Sequence, residues 1–378
     1  MKKIFYWCPY LSDVATITNV INSAISLKKY KKKNQISLLE TIGEWQFAKE
    51  KLSKYNIKIE KLSNLNFDTN KVGFFKSRLY LLYIFFLNFF PFVRLLKIKK
   101  PDFLIIHLLT SLPLVSLIFF KFKTKFILRI SGLPKLNFFR KFLWKLSSRN
   151  IYLVTCPSKE TLEYLKKLNI FEEKKLKILY DPIINVSNIN KKNKMVQDKI
   201  DHNNFFLNIG RLTKQKNQIL LIELFHNLLK RNKDFILYII GDGENRFQIL
   251  EKIKTLKLQN SVFLIGYKEN VFPYIKKSRA VISTSLWEDP GAVMIEAAFC
   301  NTTIISSNCP NGPNEFISNN QGGYLFENNN LSSLENSLEL LLNETPEQIY
   351  NKKIFAKIKS KNYTCFNHYK MLNKILND

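Results

Sequence analysis

From residue 203 onward the chain alternates short apolar runs with longer amphipathic ones. NNFFLNIG, FILYIIG, SVFLIG, RAVISTS and TTIISS are each the length of a strand, while QILLIELFHNLLKR, NRFQILEKIKTL, NVFPYIKK and PGAVMIEAAF place apolar residues at helical spacing between them. The first half repeats the style, with KKIFYWC, QISLLET, DFLIIH, KFILRIS and IYLVTCP as strands and a helix over 14–28. Buried apolar strands alternating with helices predict parallel sheets covered on both faces, that is, an α/β chain of two doubly wound Rossmann-like domains. The junction falls in the polar stretch 183–202, IINVSNINKKNKMVQDKIDH. The domains expected are residues 1–185 and 203–355, followed by a basic terminal helix over 356–378 that returns to the first domain.

Two apolar runs need separate treatment. Leu79–Val93 spans about 22 Å as a helix against a hydrocarbon core of about 30 Å. It is short for a membrane span, and reads as a core helix or as a helix lying on a membrane surface, with a transmembrane hairpin as the remaining alternative. Phe103–Phe120 contains His107, Pro113 and several hydroxyl residues, and reads as a strand over Phe103–Ile106, a turn and a helix.

Composition narrows the function. The 378 residues hold five cysteines without a CxxC pair and only four histidines, which points to reduced thiols in a cytoplasm and to no structural metal. The opening MKKIFYWCPYLSD is broken at Pro9 and reads as a first strand, not a signal peptide. Charge is uneven: residues 1–190 carry a net +22 and residues 191–378 a net +7. Basic residues among aromatic and aliphatic runs suit an anionic membrane surface, with nucleic acid as the rival partner and a general lysine bias as the plain alternative.

The candidate chemistry sits at strand ends in the second half. IGRLTKQKNQ follows a strand and opens a helix: Gly210 allows close backbone approach, Arg211 can fork onto phosphate oxygens, and Lys216 comes one turn later. GDGEN is a second such turn, with Gly241, Gly243 and a capping Glu244. WEDPGAVMIEAAFCN is a third, with Asp289 as N-cap, Pro290 at the first helical position, and the amides of Gly291, Ala292 and Val293 at an anion-favouring helix start. Glu288 and Glu296 stand eight positions apart, roughly 10–12 Å along a helix. That separation is at or beyond what two carboxylates use to flank one glycosidic bond, and suits two ends of an extended ligand.

The order GRLxxxK, GDGE, E-x7-E followed by Ala, SxNCPNGPNEFI and GGYLF resembles the group 1 family of retaining nucleotide-sugar glycosyltransferases of GT-B fold, strongly over 200–330 and weakly in the first half. The resemblance implies two domains facing a central cleft. It implies that Arg211 and Lys216 bind the donor diphosphate, that Glu296 binds the ribose, and that Glu288 with the following amides meets the donor sugar. EDPG stands where the family often has EGFG, so the donor hexose does not carry over. On the acceptor side it points to Asp13 in the first loop, to His107 at a strand end, and to Ser131 where relatives have a histidine. For His107 a core histidine and a residue facing the acceptor remain equal readings. With no DxD-like pair, the expected enzyme uses no metal and no cofactor, the nucleotide-sugar being a co-substrate. The function expected is transfer of a sugar to a lipid-linked or other glycan acceptor in bacterial surface polysaccharide or lipopolysaccharide synthesis, by an enzyme held peripherally on the inner face of the cell membrane and binding no nucleic acid. The alternatives are a GT-B epimerase or phosphorylase, and a non-catalytic basic binder of membrane or nucleic acid.

Overall fold

The computed structural model describes residues 1–10, 15–63, 74–134, 136–192, 202, 204–231 and 235–378, and of 74–78 only the backbone. The chain forms two compact units, Met1–Pro182 with Cys365–Asp378, and Ile183–Thr364.

The first unit runs β1 (Lys3–Trp7), α1 (Ala15–Tyr30), β2 (Gln35–Glu40), α2 (Lys49–Ser53), β3 (Lys58–Lys61), α3 (Phe74–Lys99), β4 (Phe103–Ile106), α4 (Ser111–Phe119), β5 (Lys125–Arg129), α5 (Phe138–Ser147), β6 (Leu153–Cys156), α6 (Lys159–Lys167) and β7 (Leu176–Ile178). Its seven strands lie in the order β3-β2-β1-β4-β5-β6-β7, all parallel. The winding runs outward from β1 through β2 to β3, then returns to β4 on the other side of β1. Right-handed crossovers therefore put α3 to α6 on one face and α1 and α2 on the other. The two cores agree: Phe92, Leu96, Leu114, Trp144 and Leu165 pack on one side, and Val20, Ala24, Leu52 and the C-terminal Leu372 on the other.

The second unit runs α7 (Val186–Lys192), β8 (Phe205–Ile209), α8 (Gln218–Lys230), β9 (Ile236–Ile240), α9 (Arg246–Thr255), β10 (Val262–Leu264), α10 (Phe272–Lys277), β11 (Ala280–Ser283), α11 (Ala292–Phe299), β12 (Thr303–Ser307), α12 (Pro313–Ile317), β13 (Tyr324–Phe326), α13 (Leu331–Asn343) and α14 (Pro346–Ser360). Six parallel strands lie in the order β10-β9-β8-β11-β12-β13. After α14 the chain turns through Lys361–Tyr363 and enters α15 (Cys365–Asn377), which packs on α1 of the first unit. The basic C-terminal stretch is thus two helices, one in each unit. Within the junction stretch, residues 193–201 lie outside those described, as do residue 203 after it and Asp13 of the first loop.

The strand reading of Phe103–Ile106 matches β4, and a separate helix follows it. The 79–93 run is part of a 26-residue helix, α3, whose stretch Leu79–Lys99 is long and apolar enough to cross a membrane. One face of it packs in the core, the other is exposed.

Candidate active site

In a doubly wound sheet the ligand crevice lies outside the carboxyl ends of the two strands where the winding reverses. In the second unit these are β8 and β11. The loop after β8 is laced to the loop after β9: Gly210 N donates to Ile240 O at 3.0 Å, Leu212 N to Asp242 O at 2.9 Å, and Asn245 N to Leu212 O at 2.9 Å. The approach is too close for a side chain, since a Cβ on Gly241 would lie 1.9 Å from Gly210 O. The Lys216 side chain lies against Gly210, where an added Cβ would sit 3.3 Å from its Cγ, Cδ and Cε.

Lys216 is held to the neighbouring loop. Its Nζ donates to Glu288 Oε1 at 2.5 Å, and Ser285 Oγ donates to the same oxygen at 2.6 Å. Backbone pins fix both partners: Thr284 Oγ1 donates to Lys216 O, Leu286 N to Gln215 O, and Glu288 N to Pro310 O. Glu288 is buried. The pair therefore combines a short charge-assisted bond with a shielded carboxylate. An ammonium has three donors, so two remain on Lys216 for an incoming anion. Arg211 is exposed and, among the described residues, its guanidinium has no hydrogen-bond or ion-pair partner. Ser285 and Gln215 were not singled out from sequence. The only signal for Ser285 is its position in STSLWE, three residues before the glutamate it supports.

The helix expected at Pro290 starts two residues later. Gly291, at φ 94°, is the N-cap of α11, and Asp289 accepts instead from the Asn311 side chain. A Cβ on Gly312 would meet Pro290 O at 2.5 Å, so the 308–312 loop presses directly on this turn. Glu288 consequently lies outside the helix, and the helical rise does not set its distance from Glu296. Ala292 and Val293 keep partial exposure, and their amides belong to the first turn, where no intrahelical acceptor exists. The expected capping role of Glu244 is also absent: α9 has Asn245 as N-cap with no side-chain cap bond, and Glu244 is exposed.

Glu296 sits in the middle of α11 with partial exposure. Burial pushes its carboxyl up to about 7, and Lys192 pulls in the opposite direction. Among the described residues no hydrogen bond reaches it. It is an acceptor without a donor, one that two hydroxyl groups could satisfy.

The reversal point of the first unit lies between β1 and β4, and His107 follows β4. Its ring stacks on Tyr6 at 6.1 Å, and its Nε2 is buried without a partner. Burial, then Arg129 and His368, hold its pKa well below the ordinary value. Around it Arg129 donates to Asp181 Oδ1 at 2.6 Å and to Leu179 O at 2.7 Å, and His368 of α15 contacts Ser23 Oγ and Tyr180 O. A cavity of about 10 Å³ among His107, Arg129, Thr155 and His368 has room for a single water. Ser131 follows β5, half-buried, with no hydrogen bond among the described residues. The third residue expected there, Asp13, lies outside the described residues. Among those described, no three His, Cys, Asp or Glu side chains gather as a metal ion requires.

The arrangement in the second unit is thus one exposed guanidinium, one anchored ammonium, helix-start amides and two carboxylates, gathered on the loops and helix that follow β8 and β11. Residues 190–355 match the family of group 1 glycosyl transferases. An uncharacterized glycosyltransferase of Methanocaldococcus jannaschii is 30% identical over 76% of this chain and 77% of its own length. An alpha-1,4-N-acetyl-D-galactosaminyltransferase of Campylobacter jejuni, whose name gives it an acceptor glycan on PP-undecaprenol, is 27% identical over 83% of this chain and 82% of its own. The crystal structure of HepE from Anabaena, in complex with UDP, superposes with a TM-score of 0.74 at 16% identity, covering 100% of both chains. Family match, long relative and shared two-domain architecture agree with the geometry: the chain belongs to the group 1 glycosyl transferases and has their GT-B fold.

Proposed function

We propose that the protein is a retaining glycosyltransferase that moves a sugar from a nucleotide-sugar to a lipid-linked glycan acceptor, at the cytoplasmic face of a bacterial membrane, in surface polysaccharide synthesis. The observation that carries the donor half is the Lys216–Glu288 pair at the reversal point of the second sheet, with Arg211 open beside it in sequence. Arg211 and Lys216 bind the diphosphate and stabilise the charge that develops as it leaves. Glu296 accepts from the ribose hydroxyls. Glu288 meets the sugar together with the amides of Gly291, Ala292 and Val293, and also keeps Lys216 aimed. The bond from the sugar's anomeric carbon to the phosphate oxygen breaks, and a bond to the acceptor oxygen forms on the same face. The acceptor's proton passes to an oxygen of the departing diphosphate, so no enzyme nucleophile enters.

The lipid-linked acceptor is favoured by the Campylobacter relative's name and by the basic, aromatic first unit. The test is a thermal-shift and turnover screen against UDP-, GDP-, ADP- and CMP-sugars. One of the UDP-, GDP- or ADP-sugars should raise the melting temperature, by mass action, and release nucleoside diphosphate on addition of polyprenyl-diphosphate glycan, while CMP-sugars, which carry a single phosphate, should do neither. A protein that none of the donors stabilises contradicts the proposal.

A further inference from the structure

The first unit exposes an apolar face along α3. Along α3, Ile84, Asn88, Phe92 and Leu96 point inward at every fourth residue, and all are buried. Two residues out of phase, about 200° round the helix, Leu82, Phe86 and Phe90 point outward, with Phe86 69% and Phe90 71% exposed. The helix is therefore apolar on both sides. The inner side is packed on the sheet, so crossing a bilayer would strip that core, whereas the outer side is free to lie on one. Beyond α4, which packs against both α3 and α5, the first turn of α5 exposes Phe138 and Phe139 at 78% and 79%. Its N-cap Asn137 and buried Trp144 fix the helix so that these rings project outward.

Two further facts identify what covers this face. Helices of a parallel sheet start at the carboxyl ends of the strands, so the exposed first turn of α5 lies at the end of the sheet where the His107 loop opens, while Phe86 and Phe90 sit near the middle of α3. Between residues 79 and 150, 11 Lys and Arg side chains are exposed, among them Arg94 and Lys97 on α3 and Arg140, Lys141 and Lys145 on α5, against one acidic residue, Asp102. Exposed basic side chains on the same helices as exposed aromatic rings complement an anionic leaflet and oppose a second copy of the same cationic surface.

We infer that the outer side of α3 and the first turn of α5 form a two-point docking face for an anionic lipid bilayer, on which α3 lies in the plane and does not cross. This extends the proposed lipid-linked acceptor by naming the surface that brings the enzyme to it. Docking itself needs no acceptor, so it can fail while the transfer proposal stands.

The experiment is co-sedimentation of the full chain with phosphatidylcholine vesicles, with and without phosphatidylglycerol, alongside nucleotide-sugar titration. The wild type should bind the anionic vesicles at least tenfold more tightly than the neutral ones, and binding should fall as salt rises. Phe86→Glu with Phe90→Glu, and separately Phe138→Glu with Phe139→Glu, should each weaken vesicle binding at least tenfold and leave donor affinity unchanged. Fluorescence of Phe139→Trp should shift to the blue on anionic vesicles and be quenched by brominated acyl chains. The inference is overturned by equal binding to neutral vesicles, by an α5 pair that changes nothing, or by an absence of vesicle binding. It is also overturned if the same substitutions instead dissolve a dimer, which would make the face an interface between copies.

Discussion

At the reversal point of the second sheet, Lys216, Arg211 and Glu296 keep bonding capacity in hand: two donors on Lys216, a guanidinium in solvent and a carboxyl without a donor. At the corresponding point of the first sheet, charge is consumed internally. Arg129 and Asp181 are both buried and bond one another, and His368 bonds Ser23 and Tyr180, burial pushing its pKa down to about 4 against the opposing Tyr180 carbonyl. The same winding thus gives one unit a place that is short of an anion and the other a place that is already satisfied, apart from His107 and Thr155. A charge at a strand end is a candidate for ligand chemistry where the loops leave it short of partners. Where it is paired and dry, it is part of the scaffold.

The sharpest way to break that contrast is to treat Arg129 as if it were a ligand residue. Arg129→Met leaves the Asp181 carboxylate buried without its cation, at a cost of about 3–5 kcal/mol, and should lower the melting temperature of the first unit by roughly 10 °C. Donor affinity should not move. Combining it with Asp181→Leu should recover most of the loss, because the pair stabilises little beyond what apolar packing supplies. A large fall in donor affinity without a thermal change would place Arg129 in the reaction.

In the second unit the expected loss is kinetic. Glu288→Ala should lower kcat by about 10- to 100-fold with a smaller change in KM, because the sugar and Lys216 are misplaced in the transition state while most ground-state contacts survive. Steady-state kinetics separates the two parameters, and a change confined to KM would contradict the assigned role.

A smaller effect, with a pH signature, belongs to Glu296. Its folded pKa of about 7 lies above the ordinary 4.5, so its proton stabilises the free protein at low pH, and that contribution is lost as pH rises from 4.5 through about 7. Ribose hydroxyls donating to the carboxylate favour the ionised form. Nucleoside-diphosphate affinity should therefore rise by up to about tenfold between about pH 6 and 8, with proton release on binding. Calorimetry in buffers of different ionisation enthalpy reads both, and Glu296→Gln should flatten the profile. A flat wild-type profile would remove Glu296 from the ribose.

The parts of this comparison differ in how far they can be read from sequence. The donor loops are legible because each compresses its chemistry into one stretch: a glycine for close approach, then Arg211 and Lys216, or Glu288 and Glu296 within nine residues. The Arg129–Asp181–His368 group spans 52 and 187 residues of chain and leaves only one local sign, an arginine inside the apolar run KFILRIS. The edge strands β3 and β7 escape for another reason. KIEK and LKI are short and half polar, as exposed edges commonly are, and carry too few apolar positions to show a period. At α11, Asp-Pro satisfies the local rules for a helix start at Pro290. The 308–312 loop, pressing on Pro290 from the next strand, moves the cap to Gly291.

The central claim is that the loops following β8 and β11 hold the leaving diphosphate of a sugar nucleotide, and it is tested most directly by one turnover measurement. Release of nucleoside diphosphate from the donor found in the screen should be compared among wild type, Lys216→Ala and Arg211→Ala, each checked for an intact fold by circular dichroism. Each substitution removes a charge-assisted contact worth about 1.5–3 kcal/mol, so each should slow release by about 10- to 100-fold. Release at the wild-type rate by either folded variant would show that the diphosphate leaves from somewhere else.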